Sequence, residues 1–236
     1  MEVSSKDNEI YLGIGMGKGL KKIINNAKES VEIVSPYTSA DFLRDLVKLS
    51  EKGVKISLIT NDEIRESSFS DFKISDIIKT KQIDDEEIKK AKKGGVIISS
   101  LTIIVSVFMT ISSLLASFLF YPSMILLALS IISLTYYLAK KHYKDEYYSI
   151  FRLKVFKSIS EDMRSTMLVH SKIFIIDNKV AFLGSMNFTY SGFNTHYESL
   201  IKITDKTAIE SLTQEVERLF KTDEIPSRDL SELAAR

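Results

Sequence analysis

The residues best suited to chemistry lie between positions 168 and 203, where the sequence reads LVHSKIFIIDNKVAFLGSMNFTYSGFNTHYESLIKI. His170, Lys172 and Asp177 follow one another as H-x-K-x4-D. The pattern then continues through a Gly-Ser-x-Asn turn to a later carboxylate: Gly184, Ser185, Asn187 and Glu198. An imidazole, an ammonium, an amide and a hydroxyl within so short a stretch indicate a site for an anion.

The spacing also indicates what each side chain does. On a strand predicted over 168–176, His170 and Lys172 share one face, because strand side chains alternate. Lys172 supplies positive charge, Asn187 and Ser185 supply neutral donors, and His170 supplies a nucleophile or a proton-transfer group. Glu198 would orient His170 through its second ring nitrogen, as the third member of a triad does. Together they suit a tetrahedral phosphate.

This pattern resembles the H-K-D motif of the phospholipase D superfamily. The run 184–189 and Glu198 are most similar to its single-motif members, the small endonucleases and the cardiolipin-hydrolase-type enzymes. The resemblance covers about residues 10–60 and 150–220. It implies an α/β fold, a phospholipase D-like mixed sheet flanked by helices. It also implies this catalytic set, of which Lys172, Ser185 and Asn187 contact the substrate: His170, Lys172, Asp177, Ser185, Asn187 and Glu198.

The family mechanism that the resemblance implies uses two histidines and no cofactor. One histidine attacks phosphorus, and the other protonates the leaving alkoxide and then activates water. Lysine and asparagine meet the charge on the non-bridging oxygens in place of a metal. Because this chain has one complete motif, the resemblance implies a homodimer in which each subunit gives one His170.

Three other features are weaker candidates. Glycines 13, 15, 17 and 19 lack the spacing of a dinucleotide fingerprint and the Gly-Lys-Ser/Thr of a P-loop, so a flexible strand-to-helix turn is expected there. His142 begins a second H-x-K, but Ser149 stands where the aspartate should be, which favours an interfacial histidine. His196 shares a strand face with Glu198, and an exposed or structural role is favoured over a catalytic one.

The chain has 32 Lys and Arg against 31 Asp and Glu, a formal net charge of +1, and no Cys. The charge balance excludes a strongly basic nucleic-acid coat, and the lack of Cys excludes disulfides, zinc–thiolate sites and a Cys nucleophile.

Residues 94–139 carry no charge at all. Apolar runs at about 96–119 and 123–139, separated by a break at residues 120–123, predict a transmembrane helical hairpin.

Lysines on both sides of the hairpin predict its orientation. By the positive-inside rule, both flanking segments are cytoplasmic and the chain is a two-span membrane protein. Four small residues of the hairpin are expected to contact a second chain: Ser112, Ser113, Ala116 and Ser117. The alternative is a buried hairpin of a larger soluble core. The polar start of the sequence argues against a signal peptide.

The flanks predict one α/β domain interrupted by the hairpin. Strands at 10–14, 31–34 and 54–60 alternate with helical segments before it. Further strands at 151–156, 168–176, 180–183 and 199–203 and a helix at 208–220 follow it. The expected parts are therefore 1–93 with a charged helical segment from 61 onward, the hairpin 94–139, and the motif-bearing half 140–236, which ends in a polar tail.

Three functions agree with these features. The first is a membrane-anchored phosphodiesterase whose substrate is nucleic acid, supported by the single-motif resemblance. The second is a phospholipase D-type phospholipid hydrolase or transferase, supported by the hairpin, which holds the site near the bilayer. The third is an inactive membrane scaffold. The first two share every site residue.

Overall fold

The computed structural model describes residues 2–4, 8–61, 72, 74–113, 117–157, 159–160, 166–167 and 169–235. The chain forms two compact units. The first, which we call the α/β unit, consists of Met1–Lys79 and Tyr147–Arg236. The second, the hairpin unit, consists of Thr80–Glu146, a wider segment than the uncharged run 94–139.

The α/β unit is built on an eight-stranded mixed sheet. Its strand order is β1-β2-β12-β11-β10-β3-β4-β7. β3, β4 and β7 run parallel, and the other neighbours pair antiparallel. The strands are β1 (Glu2–Ser4), β2 (Asn8–Ile14), β3 (Ser30–Val34), β4 (Lys55–Asn61), β7 (Arg152–Phe156), β10 (Ile173–Ile176), β11 (Val180–Gly184) and β12 (Tyr197–Ile203).

Two smaller two-stranded sheets and five helices complete the elements outside the apolar run. The sheets pair β5 (Ile78–Asp84) with β6 (Tyr143–Ser149), and β8 (Ile159–Ser160) with β9 (Thr166–Met167). The helices are α1 (Gly17–Asn25), α2 (Ala40–Glu51), α5 (Tyr190–Asn194), α6 (Lys206–Lys221) and α7 (Leu230–Ala234). A 3-10 turn, Ile74–Ile77, precedes β5.

Helices cover both faces of the large sheet because its strands are apolar on both. In β10, Phe174 and Ile176 contact one core, which also holds Leu20 of α1 and Leu46 of α2. Ile173 and Ile175 face the other core, with Ile209, Val216 and Leu219 of α6. Strands from before and after the apolar run share this sheet, which confirms the predicted mixed α/β fold.

Some predicted elements differ from the structure. The charged segment after residue 61 was expected to be helical, but residues 78–84 form strand β5, and helix begins only at Glu86. Residues 62–71 and 73 lie outside the described residues. The tail after residue 223 is not uniformly polar, since α7 buries Leu233 to 1% exposure.

The hairpin unit contains two long apolar helices, α3 (Glu86–Ser112) and α4 (Phe120–Ala139). Both are long and apolar enough to cross a membrane. The reversal falls before α4 rather than at the expected residues 120–123, and residues 114–116 are outside the described part. Pro122 lies in the first turn of α4, where no helical N–H bond is lost.

The two helices bury their small polar side chains and expose their large apolar ones. Ser99 and Ser106 on α3 and Ser123 and Ser130 on α4 are each 4% exposed or less, at seven-residue spacing. Hydrogen bonds cross between the helices from Ser99 to Ser133 (2.8 Å) and from Thr110 to Ser123 (3.0 Å). Ile104, Phe108 and Ile111 are more than 60% exposed. These exposures contradict a buried hairpin of a soluble core.

Small residues in this unit therefore serve contacts within the chain. Ser113, one of the positions considered for contact with a second chain, is buried, and its hydroxyl donates to the Thr110 carbonyl at 2.6 Å. Gly95 makes room for the Tyr137 ring, since a Cβ there would lie 2.4 Å from it. Ala116 lies outside the described residues. Seven-residue spacing of small side chains is typical of close helix pairing in membranes.

Gly184 provides a test of the sheet. A Cβ at Gly184 would lie 2.0 Å from the Ser199 carbonyl oxygen, and no rotamer change moves a backbone oxygen. We expect Gly184→Ala to lower the free energy of unfolding of the α/β unit by about 3 kcal/mol, the upper range for overpacking. Gly19→Ala is the control, because nothing lies within 4 Å of its added methyl group.

Denaturant unfolding followed by circular dichroism measures both variants. Gly19→Ala should be neutral or stabilising by about 0.5–1 kcal/mol, as expected for alanine within a helix. Equal stability of Gly184→Ala and the wild type would contradict the register of β11 against β12.

Candidate active site

The predicted site residues gather at one edge of the large sheet. The carboxyl ends of β3 and β4 meet there with the start of β10, because Val34 pairs with Ile173 in antiparallel register. Leu183 of β11 also pairs with Ile173, and Gly184 pairs with Leu200 of β12. The residues just beyond these pairs therefore share one edge: Ser35, Lys172, Ser185 and Glu198.

His170 and Lys172 contact each other directly. The Lys172 Nζ lies 2.9 Å from His170 Nδ1 and 3.2 Å from Nε2, and it donates to the His170 carbonyl oxygen at 2.7 Å. Strand β10 begins at Ile173, so the two residues precede the strand that was predicted to hold them. The Lys172 side chain is thereby held against the His170 ring.

Lys172 is a buried cation without a close counterion. Its side chain is 5% exposed, and within the described residues no carboxylate forms a salt bridge with it. Burial lowers the pKa of Lys172 below its usual range, and the negative charge of Glu198 opposes that shift. A desolvated ammonium is costly unless an anion approaches, so the site is prepared for negative charge.

Glu198 holds Ser185 rather than His170. The Ser185 hydroxyl donates to Glu198 Oε2 and accepts from the Ser199 backbone N–H at 3.0 Å. Glu198 Oε1 lies 3.7 Å from Nδ1 of His196. The predicted Glu198–His170 hydrogen bond is not among those of the described residues. Glu198 instead places a negative charge near Lys172 and fixes Ser185.

Asn187 projects an unused polar group at the same edge. Its side-chain oxygen is buried and has no hydrogen-bond partner among the described residues. The loop that carries it is tied to the loop after β3, because Phe188 N–H donates to Ser35 Oγ at 2.9 Å. Ser39 N–H donates to the Phe188 carbonyl at 3.1 Å. The Ser39 hydroxyl oxygen accepts from Tyr190 N–H at 3.0 Å.

Sequence reasoning missed a set of buried polar residues that support this edge. Asn61, 1% exposed at the end of β4, donates to the Val169 carbonyl at 3.2 Å, immediately before His170. Thr60 and Thr38 hydroxyls lie 3.2 Å apart. Their signal in the sequence is position, since polar residues that end neighbouring parallel strands meet at the same edge of a sheet.

Asp177 is not brought to this edge. It follows β10, whereas His170 and Lys172 precede it, so the strand separates Asp177 from Lys172 by roughly 16 Å at 3.3 Å per residue. Its carboxylate accepts from the backbone N–H groups of Lys28, Glu29 and Ser30 at 2.7–3.1 Å. Burial acts to raise the pKa of Asp177, but these hydrogen bonds hold it below the usual value. The structure thus gives Asp177 a positioning contact instead of the predicted catalytic one.

The glycine-rich segment and His142, the weaker candidates from the sequence, lie outside this cluster of site residues. The expected turn is short: Gly15, at positive φ, lies between β2 and α1, whereas Gly13, also at positive φ, is in β2, and Gly17 and Gly19 are in α1. His142 belongs to the hairpin unit, and its Nε2 lies 3.6 Å from Asp84. Within the described ranges, no group of three or more His, Asp or Glu side chains is placed to hold a metal ion.

Comparisons with known proteins identify relatives of this chain. The profile of a family described as "Cardiolipin synthase, PLD-like domain" matches residues 20–222. No curated protein sequence matches the chain. The chain is similar to the solved structure of NucT from Helicobacter pylori, at 17% identity and a TM-score of 0.49, covering 94% of this chain and 98% of that one.

Two further solved structures are similar. One is Nuc from Salmonella typhimurium, a phospholipase D family member, at 14% identity and a TM-score of 0.43, covering 94% of this chain and 99% of that one. The other is the phosphatidylserine synthase of Haemophilus influenzae Rd KW20, at 12% identity and a TM-score of 0.46. That match covers 96% of this chain and 41% of the synthase.

The contacts of Asp177 predict a stability effect without a catalytic one. Asp177→Asn keeps a residue that tolerates the local φ of 54° but removes the charge that accepts three N–H groups. We expect a loss of about 1 kcal/mol in unfolding free energy at pH 7, from weakened hydrogen bonds to a charged group. The turnover of the folded fraction should stay unchanged.

The lowered pKa of Asp177 determines how the stability loss of Asp177→Asn changes with pH. Because the folded pKa of Asp177 is lowered, its contribution is present above the unfolded pKa and is lost as pH falls through the folded value. The difference between variant and wild type should therefore decrease as pH falls below the unfolded value of about 3.9, and vanish once pH is below the folded pKa. Asp223→Asn, at an exposed position, is the control. A loss of turnover with unchanged stability would instead assign Asp177 to the chemistry.

Proposed function

The chain belongs to the phospholipase D-like family, and on this premise we propose that it is a membrane-anchored phosphodiesterase that works through a phosphohistidine without a metal ion. The observation that carries the proposal is the buried Lys172 ammonium, hydrogen-bonded to the His170 ring and without a salt-bridged carboxylate among the described residues. Such a group is preorganised for the non-bridging oxygens of a phosphodiester.

The proposed reaction has two steps. A ring nitrogen of His170 attacks phosphorus, an N–P bond forms, and the P–O bond to the leaving group breaks. A second imidazolium gives its proton to the leaving alkoxide. That imidazole then removes a proton from water, whose oxygen displaces His170 from phosphorus. Lys172 and Asn187 meet the charge that develops on the non-bridging oxygens.

The second imidazole is proposed to come from another copy of the chain. A shared site on a two-fold axis places one His170 on each side of phosphorus, and such an interface is isologous. Anchoring in a membrane supports this assembly, because both partners are confined to a plane with the same orientation. Within one chain, the histidine nearest the site residues is His196, 3.7 Å from Glu198.

The proposed anchor is the hairpin unit, with α3 and α4 as two spans. Their lengths and hydropathy suit a bilayer, and their exposed faces are apolar. Lysines precede α3 and follow α4, while residues 94–139 carry no charge. By the positive-inside rule we place both flanking segments in the cytoplasm.

We propose nucleic acid as the substrate, since the spacing of His170, Asn187 and Glu198 is most similar to the single-motif endonucleases. A phospholipid is the second candidate, and the observation that favours it is the pair of exposed apolar helices, which would hold the site near lipid head groups. Both substrates carry the phosphodiester that the site is arranged to bind.

The test is a substrate panel with the detergent-purified full chain. Single-stranded DNA, RNA, cardiolipin and phosphatidylcholine are incubated in EDTA with the wild type, His170→Asn, Lys172→Ala and a control, His142→Asn. We expect activity on nucleic acid that survives EDTA, falls by several orders of magnitude in His170→Asn and falls roughly 100–1,000-fold in Lys172→Ala. His142→Asn should retain wild-type activity.

The other outcomes separate the alternatives. Turnover of the lipids alone would replace nucleic acid by the second candidate. Strict dependence on a divalent metal would contradict the mechanism. No turnover of any substrate by wild-type chains that bind them would favour the scaffold.

The dimer proposal predicts how activity falls when chains are mixed. Wild-type and His170→Asn chains, co-expressed under different tags in known ratios, should give activity proportional to the square of the wild-type fraction, because only wild-type pairs hold two copies of His170. At equal amounts, about one quarter of the activity should remain. A linear decline would show that one chain suffices and would assign the second role to His196.

A further inference from the structure

The hairpin unit contains a basic groove that the proposed catalysis does not use. It lies at the start of α3, has a volume of about 420 Å³, and falls within the usual range of ligand pockets, about 300–1,000 Å³. Three lysines and a histidine line it together with two apolar side chains: Lys89, Lys92, Lys93, His142, Val96 and Ile97.

Two of the lysines have positive charge available for a ligand. Lys89 is engaged, because its Nζ lies 3.1 Å from Glu86 and 3.5 Å from Asp84. His142 also faces Asp84. In contrast, within the described residues neither Lys92 nor Lys93 forms a salt bridge. The groove therefore holds two cations that acidic neighbours do not neutralise.

The groove continues into an apolar stripe along α3. Lys89, Lys93 and Ile97 are four residues apart, so they lie on one helix face, one turn above the next. Further down the same face lie Ile104, Phe108 and Ile111, which are 65%, 70% and 61% exposed. Along this face the helix therefore changes from cationic to apolar within one turn.

We propose that this groove binds the head group of an anionic phospholipid, with Lys92 and Lys93 at the phosphate and an acyl chain along the Ile97–Ile111 face. A phosphodiester whose head group carries no compensating cation complements the two lysines, and the apolar stripe complements a hydrocarbon chain. The inference rests on the proposed insertion of the hairpin in a bilayer and is independent of the chemistry at His170.

The order of charges along the chain supports this occupant. Asp84–Glu87 come first, the lysines follow, and the uncharged run begins at Gly94. With α3 across a bilayer, the lysines are the charges nearest the hydrocarbon, and the acidic group lies roughly 10 Å further out at 1.5 Å per residue. At that distance ionic screening weakens its effect on a head group at the lysines.

The other end of the hairpin offers no equivalent. Residues 94–139 include no charge, so the turn between α3 and α4 has nothing to attract an anionic head group. The site therefore selects anionic lipid in one leaflet only, the leaflet on the lysine side. An anionic surface potential on that side would add to the attraction.

The experiment titrates phosphatidylglycerol or phosphatidylcholine into the detergent-purified full chain and counts bound lipids by native mass spectrometry. The wild type should bind phosphatidylglycerol at least tenfold more tightly than phosphatidylcholine. Lys92→Gln/Lys93→Gln should lose roughly 30-fold in phosphatidylglycerol affinity, about fivefold per lysine, with phosphatidylcholine binding unchanged. Lys92→Arg/Lys93→Arg should retain the wild-type preference.

Controls separate this site from general charge effects and from catalysis. Lys52→Gln/Lys206→Gln removes two exposed lysines of the α/β unit and should bind phosphatidylglycerol as the wild type does. His170→Asn should also bind it normally, so loss of activity with retained binding contradicts only the proposed catalysis. A melting curve of each variant checks folding.

Three results would overturn the site. They are equal affinity of the wild type for the two lipids, an unchanged preference in Lys92→Gln/Lys93→Gln, and an equal loss in the control pair. Displacement of phosphatidylglycerol by inorganic phosphate at equal concentration would show that the acyl chain contributes nothing, and would also overturn the proposal.

Discussion

The candidate site depends on keeping the Lys172 ammonium out of water without a carboxylate bound to it. An isolated buried charge is expensive, and a salt bridge would cancel the field that an incoming phosphate needs. Here the ammonium is held by its hydrogen bonds to His170. Glu198 accepts a hydrogen bond from the Ser185 hydroxyl and affects Lys172 only through its charge, without a salt bridge. Packing and hydrogen bonds elsewhere in the fold must compensate the free-energy cost of desolvating this ammonium.

The sheet supplies that support through its two edges. At one edge, Asn61 donates to the Val169 carbonyl next to His170, and Ser35 accepts from the Phe188 N–H next to Asn187. Thr60 donates to the Pro36 carbonyl and so ties β4 to the loop after β3. At the other edge, Asp177 accepts three backbone N–H groups at the start of β3. With β10 fixed at both ends against β3, a small shift of His170 relative to the loop of Asn187 would require breaking buried hydrogen bonds. Precise placement of this kind is what stabilises charge in a transition state.

The sequence predicted the parts of this arrangement that follow from local spacing. Alternation and helical periodicity indicated most strands of the large sheet and the helices that cover it, and the motif identified His170, Lys172 and Asn187.

The features that the sequence did not reveal depend on tertiary contacts. Asp177 lies in the motif only three residues after the buried Phe174, yet which edge of the sheet it reaches is set by where β10 begins and ends. The bond from Ser185 to Glu198 depends on the register of β11 against β12, and residues 78–84 form a strand because they pair with β6, 59 or more residues later in the chain. Such pairings are invisible to a local pattern.

Two opposite rules of burial operate in one chain. In the α/β unit apolar side chains are inside, whereas in the hairpin unit serines are inside and isoleucines outside. These rules are compatible because the strands that lead into and out of the hairpin unit, β5 and β6, pair with each other. Because β5 pairs with β6, the two ends of the inserted segment lie close together. The two halves of the large sheet are therefore connected as if by a short loop, and the length of the insertion adds little to the entropy cost of forming the sheet. Each unit therefore follows its own burial pattern: the α/β unit has an apolar interior, and the hairpin unit exposes large apolar side chains.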